Sequence, residues 1–365
     1  AAAALRAARA PEAPVPDAPP RVVFLFPGQG AQYPGMGAGL YASEPVYRAV
    51  IDEGAETLAP LLGEDIRDVL VRREMPQADA ARALRDTRLT QPALYLTEIA
   101  TARLWAARGV RPDAMVGHSV GELAAATLAG TLTLADGLRL IARRGQLMQA
   151  LPGGAMLSVR APLEAVVPLI GDGVDLAATN APRLQVLAGP FAAIERLETR
   201  LAEAGLPARR LHTSHAFHSA MMDPVVDALA DEISGMRLSA PRLPLVSAVT
   251  GTWMRDDEAC DPAFWAGQAR ACVNFAGALR AACEGASDVM VEVGPGAALS
   301  AFAAQTLGRG GHGERVQSLP DHTQPDRDCR AMASASAELW AAGVPIDWSG
   351  AGAGRARRCA LPGTV

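Results

Sequence analysis

One pentapeptide constrains this chain more than any other feature: Gly-His-Ser-Val-Gly at 117–121, between a short apolar run and a helical pattern. Residues 114–116 predict a strand, and residues 120–129 predict a helix that ends at Gly130. G-x-S-x-G in that context is typical of a nucleophile elbow, a strained turn that projects a serine hydroxyl outward. The helix N-terminus favours developing negative charge there. The motif therefore predicts a nucleophile at Ser119 on an α/β scaffold.

Composition removes several other kinds of chemistry. The 365 residues contain no lysine, so all 34 basic residues are arginine, which excludes a P-loop lysine and a pyridoxal Schiff base. A substrate anion must therefore meet arginine, histidine or backbone N–H groups. The net charge of −5 argues against nucleic acid as the partner. Five cysteines without a C-x-x-C pair argue against a zinc site or a disulfide framework, and indicate thiols in a reducing cytoplasm.

The pattern of predicted strands and helices changes near residue 153. Before it, residues 21–26 predict a strand, and helices are predicted over 45–62, 91–108 and 136–151. Strands over 155–160, 174–178 and 184–187, with helices over 163–170 and 191–204, resemble a ferredoxin-like insert. Further strands are predicted over 245–249 and 289–293. The predicted organisation is an N-terminal linker (1–20), a large α/β subdomain (21–152 and 214–307), a small subdomain (153–213), and a C-terminal linker with one short helix (308–365).

An activated serine needs a base, and the histidines are unevenly spread. His215 and His218 lie about a hundred residues after the elbow, where the insert rejoins the main pattern, and this spacing favours His218 as the base with His215 as the alternative. His118 adjoins Ser119, but neighbouring elbow side chains point apart, so it is expected to line a pocket. His312 and His322 fall in glycine-rich or polar sequence and are expected to be solvated.

Two further segments could contact a substrate. The turn Pro-Gly-Gln-Gly-Ala-Gln at 27–32 follows the first strand and could cradle phosphate, supply a second oxyanion N–H, or be a plain tight turn. Arg143 and Arg144 lie on a predicted helix, where adjacent positions point about 100° apart, so at most one should face the site.

Taken together, these motifs resemble the acyltransferase domain of modular type I polyketide synthases, the malonyl transacylase family. The resemblance covers residues 21–305, and its motifs are Phe-Pro-Gly-Gln-Gly-Ala-Gln (26–32), Thr-Gln-Pro-Ala-Leu (90–94), Gly-His-Ser-Val-Gly-Glu (117–122), Arg-Gly (144–145), His-Ala-Phe-His-Ser (215–219) and Glu-Val-Gly-Pro-Gly (292–296). The flanks resemble the linkers that precede and follow this domain. After Leu361-Pro362 the chain departs from the pattern, since Gly363-Thr-Val stands where an aromatic pair is expected.

The resemblance implies a role for each matching residue. Ser119 is the nucleophile, His218 its general base, and Arg144 the clamp for an acyl carboxylate. Gln29 and Val120 supply backbone oxyanion N–H groups, and a backbone carbonyl, assigned approximately to Gln268, orients the histidine. The residues implied to line the substrate pocket are Gln91, His118, Asn180, His215 and Phe217.

It also implies the fold and the reaction. The expected fold is α/β, a hydrolase-like large subdomain with an inserted ferredoxin-like small one and the site in the cleft between them. Acyl-coenzyme A would acylate Ser119, and the phosphopantetheine thiol of an acyl carrier protein would collect the acyl group, with no bound cofactor or metal. The expected setting is a cytoplasmic synthase beside a ketosynthase and other domains, without nucleic acid or membrane.

Malonyl is the expected acyl group, with methylmalonyl or an unusual extender as the alternative. Malonyl-selective members resemble His-Ala-Phe-His at 215–218, whereas methylmalonyl-selective ones carry Tyr-Ala-Ser-His and a glutamine where Val120 stands. A serine thioesterase would share Ser119 and His218 but has no need of a buried arginine. A non-catalytic docking module would need neither residue.

Overall fold

The computed structural model describes residues 18–72, 74–283, 288–308 and 313–349. Most of the predicted N-terminal linker, the end of the C-terminal linker, Cys359 and His312 therefore lie outside the described residues.

A five-stranded parallel sheet organises the larger part of the molecule, in the order β7-β2-β1-β8-β9. Its central strand β1 is buried along its whole length, as expected of a strand covered on both faces. The strands are β1 (Val22–Phe26), β2 (Ala114–Gly117), β7 (Leu245–Val246), β8 (Val289–Pro295) and β9 (Arg315–Leu319).

Helices cover this sheet and enclose a large apolar core. Those before the small subdomain are α1 (Ala38–Ser43), α2 (Pro45–Leu62), α3 (Arg67–Leu70), α4 (Gln77–Ala83), α5 (Thr87–Ala107), α6 (Val120–Ala129) and α7 (Leu134–Gln149). Those after it are α10 (Asp223–Ser234), α11 (Asp256–Ala259), α12 (Pro262–Gly267), α13 (Phe275–Ala282), α14 (Ala298–Leu307) and α15 (Asp328–Ala341).

The second sheet is antiparallel, has the order β4-β5-β3-β6, and encloses an apolar core of its own. Its elements are β3 (Ala155–Val159), α8 (Leu163–Val166), β4 (Asp175–Ala181), β5 (Leu184–Gly189), α9 (Phe191–Glu203) and β6 (Ala208–Arg210). The β-α-β-β-α-β order with this strand arrangement is ferredoxin-like. The predicted fold class, α/β with a hydrolase-like large subdomain and an inserted ferredoxin-like small one, is confirmed.

The small sheet is hydrogen-bonded to the large subdomain at Val273. The Thr179 N–H donates to the Val273 carbonyl, and the Val273 N–H donates to the Ala177 carbonyl, both at 2.9 Å. Beside them Arg270 pairs with Asp175, with 3.1 Å between nitrogen and oxygen. Strand β4 of the small sheet is thus tied to the segment that follows α12 in the large subdomain.

Two predictions about secondary structure were wrong. Residues 315–319, assigned to a linker, form β9 at the edge of the parallel sheet, and α15 packs against it rather than standing free. The Trp105 Nε1–H donates to Ser318 Oγ at 2.8 Å, so the core of the large subdomain includes this segment. Helix α5 begins at Thr87, four residues before its predicted start, because the Asp86 side chain caps it by accepting from the Arg88 N–H.

Strand β6 was not predicted, because its three residues are all exposed and show no apolar alternation. Within the described ranges, none of the helices combines the length and the apolar character that crossing a bilayer requires.

Candidate active site

The elbow between β2 and α6 holds Ser119 in a strained conformation. Its φ of 55° and ψ of −109° lie where side chains other than glycine are uncommon. Both flanking glycines are required by close contacts, since a Cβ on Gly117 would lie 2.1 Å from the Glu122 nitrogen, and one on Gly121 would lie 2.2 Å from the Phe26 oxygen. The backbone around Ser119 is therefore fixed by packing against β1.

His218 lies against the serine. Its Nε2 is 2.8 Å from Ser119 Oγ, and its Nδ1 is 2.8 Å from the Ala271 carbonyl oxygen. Because a carbonyl only accepts, Nδ1 carries the ring proton and Nε2 is left as the acceptor for the serine hydroxyl. Burial, with the positive charges of Arg144 and His118, lowers the pKa of His218 to about 3, so the ring is neutral at pH 7.

The carbonyl that orients His218 had been assigned approximately to Gln268. The 2.8 Å hydrogen bond comes instead from Ala271, three residues later, and the backbone of Gln268 makes a weaker contribution to the pKa of the ring. The side chain of Gln268 has a different place, beside Arg144 and the elbow.

The other two predicted histidines do not contact Ser119 Oγ. His215 Nε2 faces the Leu151 carbonyl at 3.1 Å and its Nδ1 faces Ser214 Oγ at 2.7 Å, so this ring lies behind Phe217 and not on the cavity wall. The prediction that His215 lines the pocket was therefore wrong. His118 does line it, with its Nε2 2.8 Å from Oδ1 of Asn180 on β4.

The glycine-rich turn after β1 lies beside the elbow because β1 and β2 are parallel neighbours, with Phe26 opposite Gly117. A Cβ on Gly28 would be 2.7 Å from the His118 oxygen. Within the described chain the N–H groups of Gln29 and Val120 donate to no protein acceptor. Gln29 and Ser119 line the same cavity, and Val120 directly follows the serine.

Arg144 on α7 points into the core beside the serine, whereas Arg143 is exposed. Nη2 of Arg144 is 3.4 Å from Ser119 Oγ, and Nη1 of Arg144 donates to Gln91 Oε1. Burial lowers the pKa of Arg144 to about 10, which still leaves it charged at pH 7, and the charge of Glu122 opposes that shift. A buried guanidinium therefore stands next to the hydroxyl.

Gln91 holds this guanidinium from behind and does not line the cavity, which corrects its predicted place. Its Nε2 donates to Thr87 Oγ1 at 3.0 Å, and the Thr87 hydroxyl donates to Gln29 Oε1 at 2.9 Å. Thr87 therefore links the arginine to the glycine-rich turn.

A cavity of about 1100 Å³ lies between the two sheets and reaches the dyad. Ser119, His218 and Phe217 lie at its base, and the antiparallel sheet forms one wall. The described residues hold no group of three or more histidine, cysteine or carboxylate side chains that could bind a metal ion.

The comparison with protein families agrees with this geometry. The family model for the acyl transferase domain matches residues 23–344, nearly the whole described chain. The chain belongs to the acyl transferase domain family. The match extends past residue 308, in agreement with the place of β9 and α15 in the large subdomain.

Relatives of this acyl transferase domain include bacterial polyketide synthases. It is 39% identical over 358 residues to a phenolphthiocerol/phthiocerol polyketide synthase protein of Mycobacterium tuberculosis, covering 98% of this chain and 23% of that protein. The chain thus spans less than a quarter of that relative's length.

Two solved structures are similar in fold and in sequence. The acyl transferase domain of SpnD, in complex with 2-(pent-4-yn-1-yl)malonyl, has a TM-score of 0.85 and 40% identity, covering 93% of this chain and 81% of that one. The malonyl-CoA:acyl carrier protein transacylase of Xanthomonas oryzae has a TM-score of 0.73 and 30% identity, covering 87% and 98%.

Three residues of the site, Thr87, Glu122 and Ala271, were not predicted from the sequence. Glu122 stood at the end of the quoted 117–122 motif, three residues after the serine in the first helical turn, so its position was a usable signal. Nothing in the local sequence marks the Ala271 carbonyl, because its role depends on the approach of a histidine 53 residues away.

Proposed function

We propose that this domain loads malonyl from coenzyme A, through an acyl-enzyme on Ser119, onto the phosphopantetheine thiol of an acyl carrier protein. One observation carries the proposal: the buried Arg144 guanidinium lies 3.4 Å from the Ser119 hydroxyl, which is itself 2.8 Å from His218. A thioesterase for uncharged acyl groups has no use for a buried cation beside its nucleophile, because burying an unpaired charge is costly. A substrate that brings a carboxylate does use it.

In the first half-reaction, Nε2 of His218 takes the Ser119 proton as Oγ attacks the thioester carbon. The negative charge on the carbonyl oxygen is held by the free N–H groups of Gln29 and Val120, each worth about 3 kcal/mol in such sites. The intermediate collapses when the carbon–sulfur bond breaks, and the imidazolium returns its proton to the departing thiolate. The serine ester and free coenzyme A remain.

In the second half-reaction the carrier's phosphopantetheine thiol follows the reverse course. His218 takes the thiol proton, the thiolate attacks the ester carbon, and the Ser119 oxygen leaves with the proton that His218 held. The neutral ring, with Nδ1 bonded to the Ala271 carbonyl, suits both directions. The similarity to polyketide synthases and to an enzyme named malonyl-CoA:acyl carrier protein transacylase supports this choice of acceptor.

The proposed setting follows from the same relatives. The acyl carrier protein is the partner, a ketosynthase and other synthase domains are neighbours, and the bacterial cytoplasm supplies the acyl-coenzyme A. The chemistry requires no resident cofactor, because both substrates carry their own thiols.

The covalent intermediate is the direct test. After mixing with malonyl-CoA, intact-mass analysis should show one malonyl adduct on the peptide that contains Ser119, and Ser119→Ala should abolish it. Ser214→Ala is the matched control, since that hydroxyl contacts only His215 among the site histidines, and it should keep the adduct. An adduct that survives Ser119→Ala would disprove the mechanism. Release of free malonate in place of transfer to a carrier would identify a thioesterase.

The preference for malonyl is proposed from Phe217. Its side chain is 7% exposed and lines the cavity next to His218, where it occupies space that an α-methyl group would need. One methyl group in an apolar pocket discriminates by only about 1–3 kcal/mol, so a strong but incomplete preference is expected. The SpnD domain holds a malonyl group with a large substituent, so overall similarity does not decide the extender.

A competition assay tests this preference. Equimolar malonyl-, methylmalonyl- and ethylmalonyl-CoA should give mainly the malonyl adduct. Phe217→Ser should raise methylmalonyl loading relative to malonyl by about tenfold, whereas Phe191→Ser, at a half-exposed surface position, should leave the ratio unchanged. A dominant branched adduct on the wild-type domain would refute malonyl selectivity and leave the transferase mechanism intact.

A further inference from the structure

Glu122 is a buried carboxylate that the proposed mechanism does not use. It is 1% exposed and lies in the first turn of α6, three residues after Ser119. Its Oε1 accepts from the Ala248 N–H at 3.0 Å, and its Oε2 accepts from Gln268 Nε2 at 3.1 Å. Both oxygens therefore act as acceptors, and the N-terminal end of the helix favours their negative charge.

The orientation of the Gln268 amide is determined by these neighbours. Its Nε2 donates to Glu122 Oε2 and to the Ser119 carbonyl at 2.8 Å, and the carbonyl and the ionised Glu122 carboxylate can only accept. Its Oε1 must then point the other way, where it lies 3.4 Å from Arg144 Nη2. Glu122 thus determines, through one amide, which atom of Gln268 faces the arginine.

As a consequence, the atoms that contact the Arg144 guanidinium are uncharged oxygens. Its nitrogens contact the amide oxygens of Gln91 and Gln268 and the Ser119 hydroxyl, and no carboxylate of the described chain lies within 4.0 Å of them. A carboxylate in direct contact would compete with a substrate carboxylate for the guanidinium. With Glu122 one amide away, its charge still opposes the loss of the Arg144 proton, and the guanidinium stays available.

We propose that Glu122 and Gln268 form a positioning pair that holds Arg144 beside Ser119 and thereby makes the site selective for acyl groups with a free carboxylate. This inference rests on the proposed function of Arg144 as the carboxylate clamp. Neither residue of the pair touches the reacting atoms through its side chain, and both act through the arginine.

Glu122→Gln tests the pair without changing side-chain volume. An amide can accept at only one of its two terminal atoms, whereas Glu122 accepts at both. If the amide nitrogen of the new side chain at position 122 faces Gln268, the Gln268 amide must rotate by about 180° and present its own nitrogen to Arg144. If that nitrogen instead faces the Ala248 N–H, the hydrogen bond from Ala248, which anchors the pair to the segment after β7, is lost.

The measurement is the rate of acyl-adduct formation with malonyl-CoA and, separately, with acetyl-CoA. Glu122→Gln should lower the malonyl-to-acetyl rate ratio at least tenfold, and Gln268→Met, which removes both polar atoms, should do the same. The double variant should lower the ratio no further than either single one, because both changes act along one chain of contacts. Melting temperature and circular dichroism show that each variant is folded.

Glu292→Gln is the matched control. Glu292 is also a fully buried carboxylate, accepting from the Leu299 and Ser300 N–H groups, and it makes no hydrogen bond to Arg144, Gln268 or Ser119. Its variant should keep the wild-type ratio within about twofold. An unchanged ratio in Glu122→Gln or Gln268→Met, or an equal fall in Glu292→Gln, would overturn the pairing. The proposed function fails separately, if the wild-type domain forms no malonyl adduct on Ser119.

Discussion

The elbow in the parallel sheet and the cavity wall formed by the antiparallel sheet face each other across the cleft, and they are built differently. Around Ser119, glycines lie so close to neighbouring backbone that a single added carbon would overlap it. Among the described residues, the wall contacts the active site through the hydrogen bond that His118 Nε2 donates to Asn180 Oδ1. The large subdomain therefore holds the reacting groups by packing, whereas the small one contributes shape and polar contacts.

The difference is also one of charge. The buried cation Arg144 belongs to the large subdomain, where Glu122 opposes its loss of a proton. The arginines of the wall, at positions 160, 183 and 209, are exposed. Changes in the large subdomain should thus alter which acyl groups react, and changes in the wall should alter rates only modestly.

The largest effect is expected from Arg144→Ala. Charge-assisted hydrogen bonds contribute about 1.5–3 kcal/mol, so malonyl loading should fall about 10- to 100-fold, while acetyl loading is kept or raised. Arg143→Ala is the control, because its exposed side chain points away from the site. Adduct formation from each thioester, followed by mass, measures both. If Arg143→Ala changes the preference and Arg144→Ala does not, the assignment of the clamp is wrong.

A second prediction concerns the pH profile of acylation. The pKa of His218 is lowered to about 3, so the ring stays neutral, and able to accept the serine proton, far below the ordinary range. Acetyl loading should therefore change less than about twofold between pH 7.5 and 5.5, where a histidine with an ordinary pKa near 6.5 would lose about tenfold. A tenfold fall that persists when Glu122 is replaced would show that burial does not control this ring.

Glu122 needs a control in that experiment, because burial raises its pKa to about 7, within the same pH window. Glu122→Gln with acetyl-CoA removes that titration. An acid limb that disappears in the variant belongs to Glu122, whereas one that persists contradicts the prediction for His218.

Among the substitutions, the smallest effect is expected from the wall. Asn180→Ala removes the Oδ1 acceptor 2.8 Å from His118 Nε2, and one such bond is worth about 0.5–1.5 kcal/mol, so loading should fall about 2- to 10-fold for every acyl group alike. Thr179→Ala, the next residue on β4, should leave loading unchanged, since its backbone makes the bond to Val273. A loss as large as that of Arg144→Ala would place the small subdomain among the reacting groups.

Local pattern predicted most of the fold. The apolar run at 21–26, the elbow flanked by a strand and a helix, and the β-α-β-β-α order of the insert each follow from residues close in sequence. Strands β6 and β9 were not predicted, because β6 has no buried residue and the sequence around β9 is typical of a linker. Both are strands only because a distant partner pairs with them, β3 for the first and β8 for the second.

The sequence by itself determined that Ser119 lies in a sharp strand-to-helix turn, the proposed nucleophile elbow. The two glycines at that spacing are needed because they contact backbone atoms a few residues away and on the neighbouring strand. The family resemblance favoured His218 and Arg144, but only the tertiary structure shows His218 against Ser119, Arg144 buried with Arg143 exposed, and the Gln268 side chain turned toward Glu122 and the arginine. The physical reason is that these choices depend on contacts between residues 53 to 146 positions apart. Such contacts form when helices and sheets pack together, and local sequence preferences do not predict them.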